Sequence, residues 1–220
     1  MHHNLSVLVT DFDGTITAND FYLLVAERLL SSEALAPWED YRTGKITHFT
    51  ALQKIFGQIR APESTLLEIL HDMRPDPQLP EMINRLKAAH WHVVVASAGC
   101  EWYIQRILTT MDVHLEVHAN PGVYRKGGPL EMHAPLDSPF YSPETGVDKA
   151  AIVRFYLEQG ATVAYAGDGY TDLPAALLVD PGLRYARGDL AESLHQHGEI
   201  FSSFTIWSDI VRALLASGEK

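Results

Sequence analysis

Cysteine is nearly absent: Cys100 is the only one in 220 residues. That excludes an internal disulfide and fits a reducing compartment. Basic charge is scarce as well, with 17 Lys and Arg against 28 Asp and Glu and a formal net charge of −11. General nucleic-acid binding needs a basic footprint, and no basic cluster supplies one. There is no apolar run long enough to span a bilayer and no charged-then-apolar leader. The chain therefore reads as soluble and cytoplasmic, with neither nucleic acid nor membrane as a partner. Internal repeats and low-complexity tracts are missing too. The 11 histidines form no metal-ligand spacing. His195 and His197, two apart, cannot share a helix face, so the histidines read mostly as surface residues.

What is present begins with length and apolar content. At 220 residues, one domain or one domain with a small insert is expected, and 46% hydrophobic residues suffice for a core. The chain is organised around Val7-Leu8-Val9-Thr10-Asp11-Phe12-Asp13-Gly14-Thr15-Ile16-Thr17. Val7 to Thr10 is short, β-branched and almost unbroken, the pattern of a buried strand. Such a strand opening an α/β domain delivers its next residues to the carboxyl edge of the sheet. Asp11 and Asp13 keep the spacing that puts two side chains on one face of extended chain. Gly14 permits a sharp turn and close approach to an anion. Two carboxylates this close repel unless one is protonated or a cation sits between them. Mg²⁺ suits carboxylate, carbonyl and water oxygens.

From Asn19 to about His71 the pattern is helical. Phe21, Leu24, Val25, Leu29 and Leu30 form a stripe with Asp20 as its cap, broken at Ser31-Ser32 and Pro37. Ile46, Phe49, Leu52, Ile55 and Phe56 form a second, and Pro62-Glu63 opens a third. These helices make a small bundle, a lid over residues 19–75, inserted in a core of residues 1–18 and 76–220. The α/β alternation then resumes. A helix over Leu79–Ala89 leads to a strand, His92–Ala96, ending at Ser97-Ala98-Gly99, and to a helix from Glu101. A short strand is expected over Val113–Val117 and a hairpin around Lys126-Gly127-Gly128. A helix capped by Asp148 follows, then a strand over Thr162–Ala166 and the run Gly167-Asp168-Gly169-Tyr170-Thr171-Asp172. Alternating strands and helices imply an α/β fold with a doubly wound parallel sheet.

Four of these points carry polar residues suited to one phosphate and one metal. They are Asp11 with Asp13, Ser97 with Ala98 and Gly99 at a helix start, Lys149 at another, and Asp168 with Asp172. Each alone is ordinary: a turn residue, a cap, a solvated lysine. Their joint occurrence in this order is not. The order resembles that of the haloacid dehalogenase-like (HAD) phosphatases over nearly the whole chain, carried by Asp11-Phe12-Asp13-Gly14-Thr15, Ser97, Lys149 and Gly167-Asp168-Gly169 with Asp172. The helical insert resembles the C1 cap of the phosphoserine phosphatase branch.

The resemblance implies a Rossmann-like core and an aspartyl-phosphate mechanism. Asp11 would be the nucleophile and Asp13 the general acid and base. Mg²⁺ would sit on Asp11, Asp13, Asp168 and Asp172, and the phosphate on Gly14, Thr15, Ser97, Ala98, Gly99 and Lys149. Asp13 also points to phosphoryl transfer, since dehalogenases of the superfamily lack an acid there and phosphonatases carry another residue. The substrate would be a small-molecule phosphomonoester, the protein a monomer or homodimer. A phosphotransferase, or a phosphate-binding protein without turnover, remains open.

Phosphoserine phosphatases clamp the amino-acid head with a Glu and an Arg of the cap. Here Asp20 replaces the Glu, and Gln53 stands where the Arg is expected. Gln offers no charged fork to a carboxylate. A nearer resemblance is to the methionine-salvage branch, the 2-hydroxy-3-keto-5-methylthiopentenyl-1-phosphate phosphatases. It rests on Thr17-Ala18-Asn19-Asp20, on the segment from Gly44-Lys45-Ile46 to Lys54-Ile55-Phe56, on the hairpin before Lys149, and on Tyr185-Ala186-Arg187. Asp20, Arg42, Lys45, Gln53, Tyr103 and Arg125 are the candidates to face the substrate, which is expected to be neutral or keto-sugar-like. Cys100 reads as a small packed residue rather than an activated thiol.

Overall fold

The computed structural model describes residues 5–217. The elements run β1 (Ser6–Thr10), α1 (Phe21–Leu29), α2 (Ala36–Arg42), α3 (His48–Phe56), α4 (Glu63–Asp72), α5 (Leu79–Ala88), β2 (Trp91–Cys100), α6 (Glu101–Thr110) and β3 (Glu116–Asn120). They continue β4 (Gly122–Tyr124), β5 (Leu130–Met132), β6 (Tyr141–Ser142), β7 (Gly146–Val147), α7 (Lys149–Glu158), β8 (Thr162–Gly167), α8 (Leu173–Ala176), β9 (Arg184–Ala186), α9 (Gly188–Gln196), β10 (Ser202–Ser203) and α10 (Trp207–Ser217). Six parallel strands form the main sheet in the order β10-β9-β8-β1-β2-β3. β1 lies inside it, between β8 and β2, which is why its Val7-Leu8-Val9 run is fully buried. The strand order reverses at β1, so the carboxyl ends of β1, β8 and β2 open one crevice.

Alternation along β1 divides the core between the two faces of the sheet. Leu8 joins Val93, Val95, Ala164 and Ala166 under α5, α6, α10 and the helices of the insert. Val7 and Val9 join Val94, Ala96, Val163 and Tyr165 under α7, α8 and α9. The insert has no separate core. Phe21, Val25, Leu52, Ile55 and Phe56 pack in the same cluster as Leu8 and Phe12.

Several local expectations shift. Pro37 does not end helical structure: after a 3₁₀ turn over Ser32–Leu35 it occupies the first turn of α2, where its missing N–H and fixed φ are tolerated. Asp20 precedes α1 but makes no side-chain cap bond. The Phe21 N–H instead donates to Asp13 Oδ1 at 3.0 Å. β2 runs on through Ser97-Ala98-Gly99 to Cys100, with its register against β3 slipping between Ala96 and Cys100. The strand expected over 113–117 lies at Glu116–Asn120. Thr47 caps α3, Asp148 caps α7, and the hairpin around Lys126-Gly127-Gly128 forms between β4 and β5. Among the described residues no helix is long and apolar enough to cross a membrane.

Candidate active site

Asp11 follows β1 directly, and its backbone N–H donates to the Ala166 carbonyl of β8 at 2.8 Å. Its carboxylate therefore sits where β1 and β8 end together. Lys149, first residue of α7, reaches it from the opposite side with Nζ 3.0 Å from Asp11 Oδ1. The same ammonium lies 2.6 Å from Asp172 Oδ1, and all three side chains are buried. Carboxylate oxygens of Asp11, Asp168 and Asp172 fall within 4.8 Å of one another. Burial raises the Asp11 carboxyl well above the usual range, with Asp172 and Asp168 adding like charge and Lys149 pulling it down. Asp168 is pushed up to about 7 by burial and then by Asp172 and Asp20. Burial works against the Lys149 charge, but Asp11 and Asp172 together hold it protonated. One lysine facing three carboxylates leaves negative charge uncompensated. An all-oxygen donor set with this deficit fits a hard divalent cation.

The two oxygens of Asp172 are already occupied. Oδ1 accepts from Lys149 and from the Tyr165 hydroxyl at 2.6 Å each. Oδ2 accepts from the Asp168 and Gly169 N–H groups at 3.0 and 2.9 Å. With four donors on its carboxylate, Asp172 orients Lys149 and the Asp168 loop. Thr15 plays a similar part: its hydroxyl donates to Asp168 Oδ1 at 2.9 Å. Gly14 has φ +67°, and a Cβ there would meet Asp168 Oδ2 at 2.1 Å. The first and last loops of the site approach this closely only because residue 14 lacks a side chain.

Asp13 is held from two directions. Oδ1 accepts from the Phe21 N–H, and the Tyr103 hydroxyl donates to Oδ2 at 2.6 Å. Burial raises its carboxyl to about 7, helped by Asp20. Ser97 is buried, and its Oγ accepts from the Gly99 N–H at 3.0 Å, so that amide is already used. Gly99 is needed for closeness as well: a Cβ there would lie 1.9 Å from the Tyr103 hydroxyl. The Ala98 carbonyl is fixed by Asn120 Nδ2 at 2.7 Å. One cavity is lined by Asp11, Asp13, Ser97, Ala98, Gly99, Lys149 and Asp168 together. Gly14, Thr15 and Asp172 stand behind it.

A family model of haloacid dehalogenase-like hydrolases matches residues 8–177, from the first strand past the last aspartate of this site. The chain belongs to that family. It is 22% identical to a 2-hydroxy-3-keto-5-methylthiopentenyl-1-phosphate phosphatase of Bacillus pumilus over 93% of this chain and 88% of the other. A protein of the same name from Brevibacillus brevis is 24% identical, with 94% of each chain covered. A solved phosphoserine phosphatase, an analogue of its phospho-aspartyl intermediate, superposes with a TM-score of 0.69 at 18% identity over 95% of this chain and 98% of that one.

In this haloacid dehalogenase-like hydrolase the insert roofs the cavity, and it does so with residues that the sequence reading did not assign to the site. Tyr22 of α1, Trp38 and Tyr41 of α2, and His48, Leu52 and Phe56 of α3 line it. Trp38 and Tyr41 were hidden by reading Pro37 as a breaker; a proline in a helix's first turn was the signal available. Of the proposed specificity residues, Asp20 and Tyr103 reach the cavity. Arg42 pairs with Glu39, Lys45 with Asp40 and Arg125 with Glu131, all at exposed positions. Gln53 faces elsewhere, its Nε2 donating to the Met132 carbonyl of β5 at 2.8 Å. Cys100 is fully buried and its thiol is pushed up to about 12 by burial, as a packing residue requires.

Proposed function

We propose that the chain is a Mg²⁺-dependent phosphatase that hydrolyses a small phosphomonoester through an aspartyl-phosphate. The observation that carries this is the pairing of a Lys149-held Asp11 with a second carboxyl, Asp13, whose environment keeps its proton to about pH 7, on one cavity. Asp11 attacks phosphorus as its carboxylate, and the bond from phosphorus to the ester oxygen breaks. Asp13 gives its proton to that departing oxygen, with Tyr103 and the Phe21 N–H fixing the carboxyl in place. In the second half Asp13 takes a proton from water, whose oxygen attacks phosphorus and releases Asp11. Ser97 and Lys149 hold the non-bridging oxygens as charge builds on them.

Asp11, Asp168 and the Asp13 backbone carbonyl are the groups that would hold Mg²⁺, with Asp172 behind them. When bound, the ion neutralises the carboxylates and the incoming phosphate dianion. Residues 19–75 act as a cap that excludes water and reads the leaving group. Among the described residues lining the cavity, Lys149 is the only Lys or Arg. A leaving group with its own carboxylate, such as serine, has no cation to meet. This favours the salvage-like reading over phosphoserine, and the free, buried Cys100 suits a reducing cytoplasm. The test is p-nitrophenyl phosphate hydrolysis with EDTA and with Mg²⁺. Turnover that appears only with the metal supports the reading. Full turnover in EDTA removes the metal from it, and none under either condition removes catalysis.

A further inference from the structure

Asn120 does not line the cavity and is fully buried at the end of β3. There β2 leaves its register. Ala96 pairs with His118 and Cys100 with Asn120, so β2 carries Ser97, Ala98 and Gly99 where β3 carries only Ala119. Such a bulge re-aims side chains and is frequent beside active sites. The Asn120 side chain ties this one down. Its Nδ2 donates to the Ala98 carbonyl at 2.7 Å and to the Thr145 carbonyl at 3.0 Å. The Ala98 carbonyl and the Gly99 N–H belong to one planar peptide unit. Asn120 holds that unit at the carbonyl, and at the other end the Gly99 N–H donates to Ser97 Oγ at 3.0 Å. With its oxygen accepting from a fixed amide, the Ser97 hydroxyl keeps its own proton to donate.

The second bond reaches the segment that leads to Lys149. Thr145 Oγ1 donates to the Val147 carbonyl at 2.7 Å, and the Asp148 N–H donates to the Phe140 carbonyl at 2.7 Å. Asp148 then caps α7, whose first residue is Lys149. One amide thus joins the two segments that bring Ser97 and Lys149 to the cavity. Its orientation is forced, because turning it over would set Oδ1 against both carbonyls. As it stands, Oδ1 is buried with no hydrogen-bond partner. It lies against Gly146, where φ is +79° and a Cβ would come within 1.8 Å of it. An unpaired buried oxygen costs stability and calls for a reason beyond packing. The two carbonyls supply one: an apolar residue of the same size would fill the space and leave both of them loose.

We propose that Asn120 is a positioning residue of the phosphoryl site, setting the Ser97 hydroxyl against the Lys149 ammonium so that both meet one phosphoryl group. This rests on the phosphatase reading of the site and adds to it a residue that touches no substrate. Orthovanadate, an analogue of the phosphoryl group, reports that geometry without turnover. Titrated calorimetrically into the Mg²⁺-loaded protein, it should bind Asn120→Leu about 10-fold more weakly than wild type, the size of one hydrogen bond. The Mg²⁺ affinity should be unchanged, since Asp11 and Asp168 keep their own partners, Lys149 and Thr15. In a Ser97→Ala background the effect of Asn120→Leu on vanadate should shrink, because the hydroxyl that Asn120 orients is already gone. A merely structural loss would add in full in both backgrounds. Asn120→Ser, whose hydroxyl donates to one carbonyl, should recover part of the affinity, and it carries the same cycle if the leucine variant does not fold. Vanadate bound equally by wild type and variants, a parallel loss of Mg²⁺ affinity, or an Asn120 effect that stays full-size without Ser97 overturns the proposal. p-Nitrophenyl phosphate, run alongside, keeps the two failures apart. If wild type with Mg²⁺ does not hydrolyse it, the phosphatase reading falls; if it is hydrolysed and the vanadate comparison fails, only the role of Asn120 falls.

Discussion

Metal-free protein is expected to lose stability as the pH rises from about 4 to about 7, the reverse of a protein whose carboxylates sit in salt bridges. Asp13 and Asp168 each keep a proton to about pH 7 in the folded chain, against an ordinary value of 3.8. Between those values the native state binds more protons than the unfolded state, so stability is highest below the lower one. It falls through the window and levels off above the higher one. Moving one carboxyl that far costs ~4 kcal/mol once both states are ionised. Two such costs would rival the whole stability of a domain, about 5–15 kcal/mol, so side-chain relaxation and entry of water must absorb part of them. A surviving loss of ~2 kcal/mol already lowers Tm by about 4–8 °C in a chain of this size. Calorimetry in EDTA measures it. Asp168→Asn keeps the shape and removes one ionisation, and the difference between wild type and variant cancels the histidines. The wild-type Tm should fall more steeply with pH than that of the variant. Mg²⁺ should raise it more at the alkaline end, and the variant should lose most of that response. A wild-type Tm that runs parallel to the variant's across the window would refute the argument that these carboxyls are held protonated by their surroundings.

Asp13→Asn should cut kcat by about 10²–10⁴-fold, as loss of a positioned acid and base does, while circular dichroism stays native; near-wild-type kcat would remove Asp13 from proton transfer. Asp76→Ala should cost ~1–3 kcal/mol of stability by urea unfolding, because its buried carboxylate accepts from the Gln78 and Ser208 N–H groups and so ties the start of α5 to α10. Gln53→Arg should leave the ratio of kcat/KM for phosphoserine to p-nitrophenyl phosphate unchanged, since residue 53 points at β5 and not at the substrate; a ratio that rises several-fold would return it to the cavity.

The strands were legible because burial on both faces of a parallel sheet demands runs that no helix stripe imitates. Val7–Thr10, the valines of β2 and Thr162–Ala166 all lie inside the strands observed. β10, two exposed serines at the sheet's edge, has no such run and left no trace. β2 exceeded its expected end because Ser97 and Gly99 carry no strand propensity. Tertiary constraint extends it: the Asn120 side chain fixes the Ala98 carbonyl and the Tyr103 phenol fills the space over Gly99.

The site divides in the same way. Asp11, Asp13, Ser97, Lys149 and Asp168, which the structure brings onto one cavity, were legible as a set because strand ends and a helix start put polar residues at recognisable places. Their division into groups that meet the ligand and groups that hold others was not. Nothing in Gly167-Asp168-Gly169-Tyr170-Thr171-Asp172 says that the second aspartate spends both oxygens on Lys149, Tyr165 and two backbone amides. That depends on Tyr165 lying on β8, seven residues back, with its hydroxyl turned to the same carboxylate. The roof was less legible still. Charge was the guide to Arg42, Lys45 and Arg125, and the place of a family arginine the guide to Gln53, but a long charged side chain on an exposed helix or hairpin finds a neighbour of opposite sign or solvent, at little energetic consequence. The roof is built instead from Tyr22, Trp38, Tyr41 and Phe56, aromatic residues whose helical spacing reads as core until the chain is folded.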